Sequence, residues 1–351
     1  MSYDLYTVYP CETIDDIRRI VGNHRQAYRE LRCVYTKISL LTPALTTKNR
    51  DYSRNGHYRY GGGYKSLVHQ EARTGGQSRE SSKENQYTQY LIQPAIKQLS
   101  ALGLHPPQPD VDTLPRYSFF LQFPFTLSTP YISADDDVIY IHENPVVKDY
   151  VFKTPMVRST SWKGNLRHAA EKLSDDSEQA AERIIRLFGT AKGEEESLKE
   201  EEGRRGRLIF YPTFFDKIDL DIINPHSRRT KAGTVPIMLE MVPKGASGYF
   251  SLMYIPFDLI GEKDENRLKT EITSDMSLVY DAICGMMRSF GFSAKRTKGY
   301  GMIKEEVVLK DKSGKRIASG VFQVAGVDEK PHSFNRLEEL KGIIDRVTGI
   351  L

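Results

Sequence analysis

Residues 155–167 read Pro-Met-Val-Arg-Ser-Thr-Ser-Trp-Lys-Gly-Asn-Leu-Arg, and this stretch carries the strongest indication of the fold. Hydroxyl side chains precede a helical pattern, so we predict a helix from Ser161 to Leu173 that opens with a serine cap. The start of such a helix offers backbone N–H groups to an anion. Lys163 and Arg167 are four residues apart and share one helical face. The stretch therefore predicts a cationic, phosphate-binding helix start.

The same stretch also has a purely structural interpretation. A capped surface helix with Trp162 packed into the core needs no ligand. Under the phosphate-binding interpretation we expect phosphate contacts along the whole turn. The candidate residues are Arg158, Ser159, Thr160, Ser161, Trp162, Lys163 and Arg167.

A second basic turn, at residues 295–301, reads Lys-Arg-Thr-Lys-Gly-Tyr-Gly. It lies between a helix predicted from Asp275 to Phe290 and a strand predicted near Val307 to Leu309. Glycine lets a backbone approach a phosphodiester closely, while lysine and arginine attract it. A structural turn with surface lysines is the alternative. The candidates for phosphodiester contacts are Lys295, Arg296, Lys298, Gly299, Tyr300 and Gly301.

The order of the predicted elements indicates an α+β protein with antiparallel sheets, because strands and helices do not alternate regularly. An aromatic strand is predicted over 117–126. Further helices are predicted at 14–31, 86–102, 175–188 and 334–347, and further strands at 33–41, 207–213, 236–242, 248–256 and 320–324. Prolines 106, 107 and 109 cannot continue a helix. We therefore expect an N-terminal extension at 1–110 and a main domain at 111–351, with an insertion around 128–154.

Composition permits a nucleic-acid partner without proving one. The chain has 351 residues, a formal net charge of +4, and 50 basic against 46 acidic side chains. Residues 46–79 form a basic, glycine- and tyrosine-rich loop that either orders on RNA or is a solvated insertion. Tyr64 separates its glycines from Lys65-Ser66, so a nucleotide-binding P-loop is excluded.

The cysteines and the hydropathy pattern indicate the compartment. Cys11, Cys33 and Cys284 lack metal-ligand spacing, so we expect free thiols in a reducing environment and no structural zinc. The sequence contains neither a secretory signal pattern nor a run of about 20 apolar residues. A cytoplasmic protein with no membrane partner is expected.

Three segments together resemble the RAMP superfamily, the repeat-associated proteins of CRISPR effector complexes. Members pair Pro-x-x-x-Ser-Ser-x-Lys-Gly-x-Leu-Arg with a late, basic, glycine-rich loop. The first pattern matches Pro155, Thr160-Ser161, Lys163-Gly164 and Leu166-Arg167, and the second matches Lys298-Gly299-Tyr300-Gly301. Residues 144–149, Asn-Pro-Val-Val-Lys-Asp, are similar to an Asn-Pro-Val-x-Arg-Asp segment of the backbone subunits of type III complexes. The resemblance covers residues 117–324 and leaves the first 110 residues unmatched.

The resemblance implies a ferredoxin-like, RRM-like fold whose copies or paralogues stack along a guide RNA. It implies contacts with the RNA backbone rather than the bases, a complementary target RNA, and other effector subunits as partners. A thumb-like insertion from each subunit would interrupt guide–target pairing, and residues 128–154 occupy its place.

In catalytic members of the family, an aspartate before the Asn-Pro-Val segment cleaves target RNA with a divalent cation such as Mg²⁺. Asp135, Asp136 and Asp137 occupy that loop, and an acidic turn without catalysis is the alternative. His142 and His226 are further candidates for proton transfer.

Two other functions stay open at this point. A stand-alone, metal-independent endoribonuclease would process precursor guide RNA and would need a general base, for which His24 is a candidate. A non-catalytic accessory protein would bind other subunits and contact RNA little.

Overall fold

The computed structural model describes residues 87–135, 145–175, 177–190, 203–223, 237–311 and 313–350. The predicted helix at 14–31, strand at 33–41 and basic loop at 46–79 lie outside this range. The chain divides into two compact units. The first takes its described residues from Met1–Gln98, Ala134–Pro155 and Asp216–Met241, and the second from Leu99–Ser133, Met156–Phe215 and Val242–Leu351. A domain boundary at residue 110 stays a prediction.

Helices and strands alternate irregularly along the described chain. The helices are α1 (Gln93–Ala101), α2 (Ser159–Leu173), α3 (Glu178–Phe188), α4 (Glu265–Gly285) and α5 (Leu337–Ile350). The strands are β1 (Phe119–Thr126), β2 (Met156–Val157), β3 (Leu208–Phe210), β4 (Thr213–Phe214), β5 (Asp219–Ile223), β6 (Ile237–Met241), β7 (Ser247–Tyr254), β8 (Leu309–Lys310), β9 (Arg316–Ala318), β10 (Gly320–Val324) and β11 (His332–Phe334). A π-helical turn at Thr88–Ile92 precedes α1, and another at Met286–Phe290 continues α4.

The second unit is built on a five-stranded antiparallel sheet in the order β11-β10-β1-β7-β3. Its central strand, β1, places Phe119 opposite Tyr254 of β7 and opposite Val324 of β10. Along the chain, β1, α2, β3, β7, α4 and β10 follow the β-α-β-β-α-β order of a ferredoxin-like domain. The predicted fold class, α+β with antiparallel sheets, is confirmed.

Both faces of β1 are buried, which explains its nearly continuous aromatic sequence. Phe119 stacks on Tyr254 at 4.7 Å, and Phe125 lies edge-on to Trp162 of α2 at 6.2 Å. Phe120 points to the opposite face, where it packs with Met253 and the segment before β1. Because side chains alternate across a strand, one aromatic run supplies two hydrophobic layers.

The longest helix, α4, begins earlier than its sequence pattern indicates. Its predicted start was Asp275, but it begins at Glu265, where the Asp264 carboxylate accepts the N–H groups of Asn266 and Arg267 at 3.0 and 3.2 Å. Its first two turns are mostly exposed and polar, so they carry no apolar stripe. The stripe predicted from Met276 onward is buried as far as Met287, and its last member, Phe290, is partly exposed.

A buried ion-pair network joins the second unit's helices to its sheet. Arg207 is 2% exposed, Asp275 is fully buried, and their side chains lie 2.9 Å apart. Asp275 also accepts hydrogen bonds from the Tyr254 hydroxyl at 2.8 Å and from Arg186. These contacts connect the start of β3 with β7, α3 and α4.

The first unit contains the antiparallel pair β5–β6, in register from Asp219 opposite Met241 to Ile223 opposite Ile237. Sequence patterning predicted β6 but missed β5. Next to Met241 in sequence, Glu240 is buried and forms an ion pair with Lys148.

Candidate nucleic-acid interface

The helix-start turn, residues 158–163, comprises the N-cap residue and the first residues of α2. Its N-cap residue makes no side-chain capping hydrogen bond. Arg158 occupies the N-cap position with extended backbone, φ −66° and ψ 149°, and no side chain of the described residues accepts the first N–H groups. At the start of α3, by contrast, the Ser177 hydroxyl accepts the N–H of Ala180 at 3.2 Å. The predicted serine cap at Ser161 is therefore wrong. Uncapped N–H groups at a helix start favour an external acceptor such as phosphate.

Trp162 does not belong to the surface of this turn. It is 0% exposed, and its indole N–H donates to the Thr213 hydroxyl at 3.0 Å. Its ring lies 5.0 Å from Phe250 and 4.6 Å from Phe292. The expectation that Trp162 contacts RNA is corrected by this burial, because an indole packed among aromatic rings has no face left for a base.

Lys163 and Arg167 differ in their surroundings although they share a helical face. Lys163 is exposed. Arg167 is largely covered, with its Nε 2.8 Å from Glu171 and an Nη1 donating to the Gly189 carbonyl at 3.1 Å. Arg167 thus ties α2 to the end of α3, and Lys163 supplies the accessible charge.

The glycine turn (residues 295–301) forms a closed loop after α4. Lys295 adopts a left-handed conformation, and a single 3₁₀ turn follows at Arg296–Lys298. The loop closes where the Phe292 N–H donates to the Gly301 carbonyl at 3.1 Å. Lys295 and Lys298 are exposed. Two accessible ammonium groups therefore stand on a backbone with defined geometry.

Packing against Ser293 requires a glycine at position 301. Its φ is +77°, and a Cβ there would lie 2.5 Å from the backbone nitrogen of Ser293. Sequence reasoning assigned this glycine to close approach of a phosphodiester. In the structure, the missing Cβ of Gly301 allows its backbone to approach Ser293 closely.

The segment 130–133 connects the glycine turn to the helix-start turn. Gly301 donates its N–H to the Pro130 carbonyl at 2.9 Å, and Ala294 donates to the Ile132 carbonyl at 2.9 Å. Burial raises the pKa of Tyr131 to about 12, opposed by a hydrogen bond with Ser133 and by the positive charge of Arg158. These hydrogen bonds hold segment 130–133 against the glycine turn, and the charge of Arg158 acts on Tyr131 of the same segment.

A second set of contacts links the start of α2 to Phe292, the residue whose N–H closes the glycine turn. The Asn165 amide of α2 donates to the Phe292 carbonyl at 3.4 Å, beside the contact between Trp162 and the Phe292 ring. Two cationic turns that are more than 130 residues apart in sequence are therefore neighbours in the second unit.

The acidic loop is described only at its base, within the first unit. The Asp135 N–H donates to the Pro145 carbonyl at 3.1 Å, and its carboxylate accepts the Lys148 N–H at 3.3 Å. Lys148 in turn pairs with buried Glu240, which also accepts the Val146 N–H at 3.1 Å. The Val-Val-Lys part of the motif thus holds the ends of the loop together.

The remaining acidic-loop candidates, Asp136, Asp137 and His142, lie outside the described residues, as does His226. Within the described ranges, no group of three or more His, Cys, Asp or Glu side chains could hold a metal ion. The described residues alone therefore do not fit a Mg²⁺ site. Asp135 is engaged with the backbone of its own loop.

The antiparallel sheet and the β-α-β-β-α-β order of the second unit define a ferredoxin-like domain. The RAMP superfamily matches residues 37–304, more than half of the chain, and the chain belongs to this superfamily. Both basic turns and strands β1 to β7 lie inside the matched range.

Individual relatives are more distant. The chain is 26% identical over 184 residues to CRISPR system Cms endoribonuclease Csm3 of Streptococcus thermophilus, covering 47% of this chain and 74% of that protein. It is similar to a chain of the type III-B Cmr-beta complex bound to cognate target RNA, at 13% identity and a TM-score of 0.43, covering 92% of this chain and 99% of that one. A chain of a type IV-B CRISPR complex gives 10% identity and a TM-score of 0.36, covering 61% and 93%.

In the described part of the chain, each helix is too short or too polar to cross a bilayer.

Proposed function

We propose that this chain is a guide-RNA-binding backbone subunit of a type III CRISPR effector ribonucleoprotein. The observation that carries the proposal is the adjacency of the helix-start turn and the glycine turn in a member of the RAMP superfamily. The similarity to Csm3 supports the same assignment.

The chemistry of the two turns suits a sequence-independent grip on the RNA backbone. Lys163, Lys295 and Lys298 are exposed ammonium groups that attract phosphates, and the first N–H groups of α2 offer directed donors. The base edges of the guide then stay available for pairing with target RNA. Affinity should depend on salt and RNA length far more than on guide sequence.

A binding titration tests the assignment of the glycine turn. The variant Lys295→Ala, Arg296→Ala, Lys298→Ala should weaken binding of unrelated guide RNAs about equally. The log–log salt dependence should become shallower by about 2, since each phosphate contact on a single strand contributes about 0.7. The control is Lys172→Ala, Lys263→Ala, Lys341→Ala, which removes the same charge from exposed positions elsewhere. Equal affinities for the two variants would remove the glycine turn from the RNA site.

We also propose that the acidic loop cleaves bound target RNA in a metal-dependent reaction, because the relative Csm3 is named an endoribonuclease. A carboxylate can hold a divalent cation, which would supply charge stabilisation at the scissile phosphate. Asp135, Asp136 and Asp137 are replaced singly by Asn and assayed with Mg²⁺ on guide-bound target. One replacement should abolish cutting at a single position while guide binding is unchanged. Cleavage that survives all three replacements would exclude the loop.

Chelation separates this function from guide-RNA processing. In EDTA, purified chain should leave repeat RNA intact. Site-specific cutting under that condition would identify a metal-independent processing enzyme and contradict the backbone-subunit proposal.

A further inference from the structure

A third cationic turn precedes β7 in the second unit, and the proposed site does not use it. Residues 243–246 read Pro-Lys-Gly-Ala, and we call this segment the Lys244 turn. The Ala246 N–H donates to the Pro243 carbonyl at 3.0 Å, and Gly245 has a φ of +84°. These two features define a tight β-turn with glycine at its third position. Lys244 is exposed on a backbone of defined geometry.

The Lys244 turn and the end of the glycine turn flank the same short segment, which follows β1. On one edge of that segment, the Leu127 N–H donates to the Ala246 carbonyl at 2.8 Å, and the Leu127 carbonyl accepts the Gly245 N–H at 2.9 Å. On the other edge, Leu127 pairs with Ile303 in an antiparallel bridge. Because neighbouring strands lie about 4.8 Å apart, the backbones on the two edges are separated by about 10 Å. Ile303 is two residues beyond the glycine turn.

The segments that meet at this end of the second unit contain no aspartate or glutamate. They are residues 126–133, 156–170, 242–249 and 291–304. Among the acids that border these segments, Glu171 pairs with Arg167 at 2.8 Å, and buried Glu240 pairs with Lys148. Glu305 is exposed beside Lys304, so Lys304 is not part of the inference. The charge of Lys244 therefore adds to that of the glycine turn, with no acid in the segments that connect them.

Lys244 also lacks an intramolecular partner that would neutralise it. Within the described ranges it forms no ion pair, and the same is true of Lys295 and Lys298. Lys310, by contrast, lies 2.6 Å from the carboxylate of Glu306. The three lysines at this end of the unit are thus available to an external anion.

We propose that Lys244 binds a phosphate of the guide strand that occupies the glycine turn, so that the strand crosses the end of β1 between the two turns. The inference rests on the proposed function and adds a contact to its site. A separation of about 10 Å corresponds to roughly three nucleotides of a stacked strand, at about 3.4 Å each. An ammonium group binds phosphate as a point charge and reads no base, so the added contact is independent of guide sequence.

Phosphate fits this surface better than an acidic protein does. Protein interfaces deplete lysine at their cores and gather aromatic side chains there. The large exposed apolar side chains of the described chain all lie outside the four acid-free segments. A row of phosphates can match separated ammonium groups without burying them.

The test compares Lys244→Gln with Lys341→Gln, which removes the same charge from an exposed position on α5. Filter binding is measured with a 30-nucleotide single-stranded RNA at several salt concentrations. Lys244→Gln should bind about fivefold more weakly than the control, with a log–log salt slope shallower by about 0.7, the value for one phosphate contact on a single strand. Thermal melts establish that both variants are folded.

Binding equal to that of the control overturns the proposal, and an acidic protein surface becomes the partner to seek for Lys244. Weaker binding with an unchanged salt slope overturns it as well, because a lost contact between ammonium and phosphate must change the number of counterions released.

The triple alanine variant of the glycine turn separates this result from the proposed function. Weaker binding in that variant but not in Lys244→Gln preserves the proposed function and removes the Lys244 contact. Weaker binding in Lys244→Gln alone removes the glycine turn from the RNA site and overturns the path between the two turns. Weaker binding in both, each with a shallower slope, supports the shared path.

Discussion

The Ser293 side chain forms hydrogen bonds with both the backbone N–H and the backbone carbonyl of Ile132. Its hydroxyl oxygen accepts the Ile132 N–H at 2.8 Å and donates to the Ile132 carbonyl at 3.0 Å. The two residues are 161 positions apart in sequence, and both are buried. This pair of hydrogen bonds fixes segment 130–133 against the residues that precede the glycine turn.

Replacing Ser293 by Ala should loosen that geometry. The change leaves a buried N–H without its acceptor, which costs about 1–3 kcal/mol in the free energy of unfolding. Guide-RNA affinity should fall as well, because segment 130–133, whose Pro130 carbonyl accepts the Gly301 N–H, loses its support beside the glycine turn. Urea denaturation and filter binding measure the two effects. Exposed Ser289→Ala is the control. An unchanged affinity in the Ser293 variant would show that these hydrogen bonds do not affect RNA binding.

Gly301 and Gly299 form a matched pair for testing close packing. Both have φ of +77°, but a Cβ on Gly301 meets Ser293 backbone at 2.5 Å, whereas one on Gly299 meets only the Met302 methyl at 3.5 Å. Gly299→Ala should cost about 1–2 kcal/mol for its left-handed backbone. Gly301→Ala should cost about 2–5 kcal/mol, because steric overlap is added. Equal denaturation midpoints for the two variants would contradict the packing role of Gly301.

Arg207 should be among the most sensitive charged positions in the second unit. Arg207→Met leaves the buried Asp275 carboxylate with fewer partners and should lower the free energy of unfolding by about 3–5 kcal/mol. Arg267, which is 59% exposed and also pairs with acids, is the control, and Arg267→Met should cost less than about 1 kcal/mol. Chemical denaturation compares them. Similar losses would mean that burial does not set the strength of the network.

His105 should make stability depend on acid pH. Burial lowers the pKa of His105 from 6.5 to about 4, and its ring packs edge-on against Phe214 and Tyr249. The folded state therefore favours the neutral ring. Its stabilisation is complete above pH 6.5 and is lost as the pH falls toward 4, by about 1.4 kcal/mol per pH unit.

His105→Phe should flatten the stability profile between pH 6.5 and 4 relative to the native chain. Denaturant melts at half-unit pH steps provide the comparison. The other histidines are common to both proteins and cancel in the difference. Parallel profiles across this window would place the acid sensitivity elsewhere.

Much of the secondary structure was predictable because its signals are local. The aromatic-rich run of β1, the apolar stripe of α4 and the strand at Gly320–Val324 are all indicated by neighbouring residues. The predictions were wrong where the local sequence signals are weak or have two interpretations. The polar start of α4 lacked a stripe, and the hydroxyl residues that open α2 resembled a side-chain cap, although the N-cap position is occupied by Arg158.

The site residues illustrate the same division. Lys163, Lys295 and Lys298 were identified from charge and spacing, and they are exposed. Trp162 was placed with them because it stands in the same turn, but the indole points inward to Thr213, a residue 51 positions away.

By itself, the sequence determined the α+β class, the family motifs and the two basic turns, because propensity, periodicity and charge are properties of short segments. Only the tertiary structure decided that those turns are neighbours, that Trp162 belongs to the core and that Gly301 serves protein packing. The physical reason is that such contacts join residues distant in sequence, such as Ser293 and Ile132, and burial is defined only once those segments meet.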